Sequence, residues 1–139
     1  MSGVLLNDGQ AHIVNVLFES TAVQNYYLAL IQSTSNPALT EQIGSGITEV
    51  SGTDYARIEL TRGTDWTITG ASAACDVKEF SVGADGWLSA NGFAVCLSDT
   101  ENAGDAIFAE AFPAEDQGNK PENRKIQIVC NFEIQDQSE

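Results

Sequence analysis

The 139-residue chain, 42% of it hydrophobic, has the size of one domain that buries roughly two-thirds of its unfolded surface. Its 20 acidic residues against 6 basic ones give a formal charge of −14, which repels nucleic-acid phosphates and anionic lipid alike. The longest apolar runs, such as Tyr26 to Ile31, fall far short of the ~20 residues that cross a bilayer, so a soluble chain with neither nucleic acid nor membrane as a partner is expected.

The opening MSGVLLNDGQ has no basic stretch followed by a long apolar run and a small-residue cleavage site, which predicts synthesis in the cytoplasm. Residues 1–9 read as a short polar arm. Between Gln10 and Ser20, Ile13, Val14, Val16, Leu17 and Phe18 crowd one side after the stop signal Asn7-Asp8-Gly9, predicting one short helix that docks on a sheet. From Tyr26 onward, brief apolar stretches rich in β-branched and aromatic residues alternate with Gly, Asn, Asp, Ser and Thr clusters, the rhythm of antiparallel β structure.

Strands are predicted over Tyr26 to Gln32, Tyr55 to Thr61, Trp66 to Thr69, Val77 to Val82, Phe93 to Ser98, Ala106 to Phe112 and Lys125 to Ile134. In the last, Ile126, Ile128, Cys130, Phe132 and Ile134 alternate with Gln127, Val129, Asn131 and Glu133, the two-residue period of a strand buried on one face. Asp85-Gly86 and Asn91-Gly92 supply residues that tolerate positive φ, and Asp99 to Asp105 reads as a hairpin connection. Ser33 to Gly46, Gly70 to Ala74 and Pro113 to Asn123 read as excursions from the core, and Asp136 to Glu139 as a second polar arm. The fold expected is a single mainly β domain over residues 1–139, an antiparallel, jelly-roll-like β-sandwich with one short N-terminal helix.

Chemistry is sparse. A nucleophilic triad needs a histidine, and the only one, His12, lies inside the helix beside apolar residues, where a structural role is expected. Neither a Gly-rich phosphate cradle nor HExxH nor CxxC occurs, and Cys75, Cys96 and Cys130 are widely spaced in apolar or small-residue surroundings, as reduced core thiols would be. The acids are too many for a catalytic pair to be inferred from their positions. No cofactor is expected, and the chain is read as a non-enzyme.

One segment partly mimics a calcium loop: Asp99, Glu101 and Asp105, with Gly104 at the sixth position and Glu110 at the twelfth. Ala103 stands where an oxygen ligand is wanted, so a solvated acidic hairpin is the expected form, with calcium as the minor alternative. Strand alternation would place Tyr55, Arg57 and Glu59 on one face, either as an ordinary cross-strand ion pair or with Tyr55 and Arg57 anchoring a subunit contact. Trp66 and Trp87 are candidates for the same role and, if exposed, for stacking on sugar, although a core position is favoured.

The run Thr48-Glu49-Val50-Ser51-Gly52-Thr53-Asp54-Tyr55-Ala56-Arg57 resembles a recurrent segment of small tailed-bacteriophage virion proteins of the head decoration, tail fibre or minor tail type. The order around it is similar too: a helix, Tyr27-Leu28-Ala29-Leu30 leading to a Thr/Ser/Pro loop, a Trp-bearing segment, Gly92-Phe93-Ala94-Val95, then Ala106-Ile107-Phe108-Ala109. The resemblance spans roughly Ala11 to Ile134; Cys96, the acidic loop Asp99 to Asp105 and the polar region Glu115 to Arg124 depart from it. It implies a structural virion component without catalytic residues. The expectation that follows is a capsid decoration or cement protein, self-associating as a homotrimer and contacting the major capsid protein, with a tail fibre or baseplate component or a carbohydrate-binding host-attachment module as alternatives.

Overall fold

A computed structural model describes residues 3–133. In chain order the elements are β1 (Val4–Leu5), α1 (Asn7–Phe18), β2 (Tyr26–Ile31), β3 (Gln42–Ile43), β4 (Gly46–Ile47), β5 (Ile58–Leu60), β6 (Trp66–Thr69), β7 (Ser72–Cys75), β8 (Lys78–Ser81), β9 (Gly92–Cys96), β10 (Ala106–Ala111), a 3-10 turn at Ala114–Asp116, β11 (Lys125–Ile128) and β12 (Asn131–Glu133). The protein is mainly β and antiparallel with one helix near its N-terminus, as expected; only the two-residue ladder between β3 and β4 is parallel among the described strands.

The main sheet runs β1-β10-β9-β2-β5, beside a β12-β7-β6 sheet and a β11-β8 pair. Strand alternation gives the main sheet two different faces. On one, Leu28, Leu30, Phe93, Val95 and Phe108 join Phe80, Ile126, Ile128, Cys75 and Cys130 of the smaller sheets in a single apolar cluster, a layering compatible with the expected sandwich. On the other, Ala29, Ile31, Ala94, Cys96, Ala106 and Ala109 meet Leu6, Ile43 and Ile47. Small side chains there let backbone come close: a Cβ on Gly9 of α1 would stand 2.2 Å from the Ile107 carbonyl oxygen of β10.

Several expectations need correction. Residues 3–9 are no arm, because Val4–Leu5 pairs with Phe108 and Ala109, and Leu6 is fully buried. The helix begins at Asn7, so the Asn7-Asp8-Gly9 stop signal forms its first turn: Asp8 suits the positive end of the helix, and Gly9 allows the close seat on β10. Gly70 to Ala74 is no excursion but the turn and second strand of the β6–β7 hairpin, with Gly70 at φ 58; the Ser-Ala-Ala sequence carries too little β propensity to announce it.

Ser33 to Gly46 folds back over the small-residue face, where Gln42 exchanges hydrogen bonds with both backbone groups of Ala106 (2.7 and 2.9 Å). Pro113 to Asn123 is likewise tied down, since Lys120 is buried and its Nζ donates to the carbonyls of Ala90, Asp116 and Gly118. The predicted strand from Lys125 keeps its inward face but breaks at Val129 and Cys130, β11 pairing with β8 and β12 with β7; Ile134 and the tail Asp136 to Glu139 lie outside the described residues. Asp85 and Gly86 have positive φ, whereas Asn91-Gly92 does not; Gly92 is required because a Cβ there would meet the Glu110 carbonyl oxygen at 2.5 Å.

Replacing Gly9 by Ala should lift α1 from β10, an overpacking cost of about 1–3 kcal/mol that lowers the thermal midpoint by roughly 3–10 °C. Calorimetry checks this, and an unchanged midpoint would mean that α1 is not seated as described.

Candidate functional site

Tyr55 and Arg57, read as either an ordinary cross-strand pair with Glu59 or anchors of a subunit contact, are turned inward. β5 begins only at Ile58, and the irregular backbone before it shifts the alternation, so Tyr55, Arg57 and Leu60 are buried while Glu59 is exposed and accepts from Asn25. Arg57 therefore does not share a face with Glu59. Its partner is Glu49, on the segment running beside the end of β2, where Gln32 N–H donates to the Thr48 carbonyl and Val50 N–H to the Leu30 carbonyl.

The Arg57 guanidinium has five N–H donors, and all five are used. Nε and Nη2 grip the two Glu49 oxygens (3.1 and 2.9 Å), Nη1 donates to Asp105 Oδ1 and the Ser98 carbonyl (both 2.9 Å), and Nη2 also donates to the Ala103 carbonyl (3.1 Å). The side chains of Arg57 and Glu49 are wholly buried. Burial alone would lower the Arg57 pKa, but the bonds to Glu49 and Asp105 outweigh it and hold the pKa above its ordinary value. Glu49 is saturated in turn: Tyr55 Oη donates at 2.7 Å and the Asn102 N–H at 2.7 Å. Tyr55 Oη also accepts from the Leu30 N–H, and burial followed by its bond to Glu49 pushes its pKa up strongly.

This node answers the calcium question. Asp99 and Glu101 point to solvent, Asp105 is committed to Arg57 and to the Ser98 hydroxyl (2.6 Å), and Glu110 sits on β10, where burial raises its carboxyl pKa. The four carboxylates form no cation cage, and among the described residues no group of three or more His, Cys, Asp and Glu is arranged to hold a metal. Of the four carboxylates of the calcium-like pattern, Asp105 alone joins the node, and with the Ser98 and Ala103 carbonyls it surrounds a guanidinium.

Trp87 is also internal. It packs edge-on against Tyr55 (5.3 Å) and Phe80 (6.4 Å), lies over Gly52, and donates from Nε1 to the Thr53 carbonyl at 2.9 Å. Trp66 is half-buried and tilted against Phe132 at 5.8 Å. An open cleft of about 600 Å³ is lined by Asp54, Glu79 and Glu122, these three exposed, together with Arg57, Phe80 and Trp87.

The feature sequence reasoning missed is the outward apolar face of α1. The helix meets its own domain through Gly9, His12 and half-buried Val16, with His12 Nε2 hydrogen-bonded to Tyr26 Oη at 3.1 Å, the structural role expected for this histidine. Its larger apolar residues face away: Ile13 is 44% exposed, Val14 53%, Leu17 67% and Phe18 79%. The signal was present, because at 100° per residue these four cover about 140° of helix surface in addition to the docked side, wider than one buried stripe requires. The stretch from Gln10 to Thr40 also carries a single acid, Glu19, and no Lys or Arg, in a chain of charge −14.

The chain matches no family model, no curated protein and no solved structure.

Replacing Arg57 by Met should cost about 3–5 kcal/mol, since Glu49 would keep a buried charge without a partner, whereas replacing Glu49 by Leu and Arg57 by Met together should cost much less than the two single changes summed. Urea unfolding of the three variants checks this. Millimolar calcium should leave the thermal midpoint of the native protein unchanged.

Proposed function

We propose that this chain is a non-enzymatic structural protein of a bacteriophage particle, a capsid decoration protein whose copies associate with one another and brace contacts between capsid subunits. The observation that carries the self-association in this reading is the uncovered apolar face of α1. Ile13, Val14, Leu17 and Phe18 lie side by side on it, each between 44% and 79% exposed. A face of this kind marks a contact site.

Its occupant is the chain itself. Two copies of a −14 protein repel one another over most of their surfaces, and the near-neutral stretch around α1 is where that repulsion is least. An arc of about 140° is too wide for one facing helix, so three copies about an axis, each α1 touching two others, cover it best. The particle assignment rests on the resemblance of the Thr48 to Arg57 run; the acidic exterior then suits a basic seat on the shell, with attachment that weakens as salt rises. The sugar-binding alternative draws little from the tryptophans, because Trp87 is buried and Trp66 leans on Phe132.

Sedimentation equilibrium tests the self-association. The native chain should run at three times its 14.8 kDa, and Leu17→Glu with Phe18→Glu should give a monomer with unchanged circular dichroism and melting. A monomeric native chain, or a variant that still trimerises, would contradict the assignment of this face; a dimer would contradict the threefold arrangement.

A further inference from the structure

Cys75 ends β7, and Cys130 stands just before β12, one step beyond the pair Ala74 and Asn131 in the ladder. The two residues face each other. The Cys75 N–H donates to the Cys130 carbonyl at 2.9 Å, and the Cys130 N–H donates to Cys75 Sγ at 3.0 Å. Residues opposed across an antiparallel pair of chains stand ~4.5–5.5 Å apart at Cα, inside the ~4.4–6.8 Å window that a disulfide requires. Both side chains turn into the same apolar cluster.

We propose that Cys75 and Cys130 form an oxidation site, an intrachain disulfide made in the folded protein that locks the start of β12 to the end of β7. The oxidant is a small peroxide, able to reach thiols that are almost covered. The Cys75 thiolate attacks one peroxide oxygen, giving a sulfenic acid and hydroxide; Cys130 Sγ then attacks Cys75 Sγ, and the sulfenic oxygen leaves as water with the Cys130 proton. Two thiols are oxidised, one peroxide is reduced, and hydrogen peroxide ends as two waters.

The two sulfurs are unequal in the way such a pair requires. The Cys130 thiol and then the Cys130 N–H, both donating to Cys75 Sγ, outweigh burial and bring the Cys75 pKa down to about 7, so a thiolate is available at neutral pH. Cys130 is pushed well up, by its bond to Cys75 and then by burial, and keeps its proton until it attacks. Cys96 is on the other face of the main sheet, fully buried, with burial raising its pKa, and serves as an internal control. On the particle reading above, the lock would form when the particle leaves a reducing cell for an oxidising medium; the chemistry of the pair does not depend on that reading.

The test is to treat the reduced native protein with hydrogen peroxide near neutral pH, unfold it, alkylate all remaining thiols and map the tryptic peptides. The expected result is a cross-link between residues 63–78 and 126–139, one alkylated cysteine, Cys96, and a higher urea midpoint than the reduced form. In Cys130→Ser the Cys75 sulfenic acid should persist and be trapped by dimedone. Three alkylated cysteines after peroxide, a cross-link through Cys96 or between chains, or a disulfide that forms only in unfolded protein would each overturn the proposal. None of these outcomes bears on self-association through α1.

Discussion

A fully buried guanidinium is tolerable only if every donor finds an acceptor and its charge is matched, and Arg57 imposes that requirement on two separate parts of the chain. Glu49 must lie beside the end of β2, Asp105 must close the β9–β10 connection, and the Ser98 and Ala103 carbonyls must turn inward. Asn102, with left-handed backbone at φ 65, turns the chain within this connection, and its N–H donates to Glu49. Tyr55 carries the network into the core by bridging Glu49 and the backbone of β2. An acidic loop that would otherwise repel itself is thereby organised around an internal cation.

The same node gives physical content to the run from Thr48 to Arg57. Glu49, Tyr55 and Arg57 are bound to one another, while the extended backbone of Gly52, at φ 156, leaves room for the Trp87 ring that packs on Tyr55. In this chain the run closes the β domain from within and presents none of these three side chains to the surface. What the domain offers outward lies elsewhere, on the helix that the small-residue face of the main sheet holds by Gly9 and His12.

The strands whose side chains fill the core, such as β2 with Leu28 and Leu30 or β11 with Ile126 and Ile128, were legible because burial on a face writes a period of two into the sequence. β7 was not, since Ser72 to Ala74 carry little strand preference of their own and take their strand from pairing on both sides, with Thr67 to Thr69 across the hairpin and with Asn131 to Glu133 far along the chain. The break at Cys130 was hidden because alternation continues through it while the pairing partner changes from β8 to β7. Tyr55 and Arg57 were singled out but placed on one face with Glu59, because strand alternation was extended back from Ile58 through backbone that is not strand. The apolar residues of α1 were read as a docking face when the docking is done by a glycine and a histidine, types that carry little weight in a hydrophobic pattern.

The central claim is that this domain is a particle component that meets its own copies through α1. Cryo-electron microscopy of the intact particle addresses it most directly, with the chain located by its Trp and Tyr side chains. The account predicts copies in register with the shell lattice, bridging capsid subunits, with Leu17 and Phe18 of neighbouring copies in contact. Density confined to a ring or spike at the tail would contradict the decoration role, and α1 facing open solvent in every copy would contradict the contact on which the account rests.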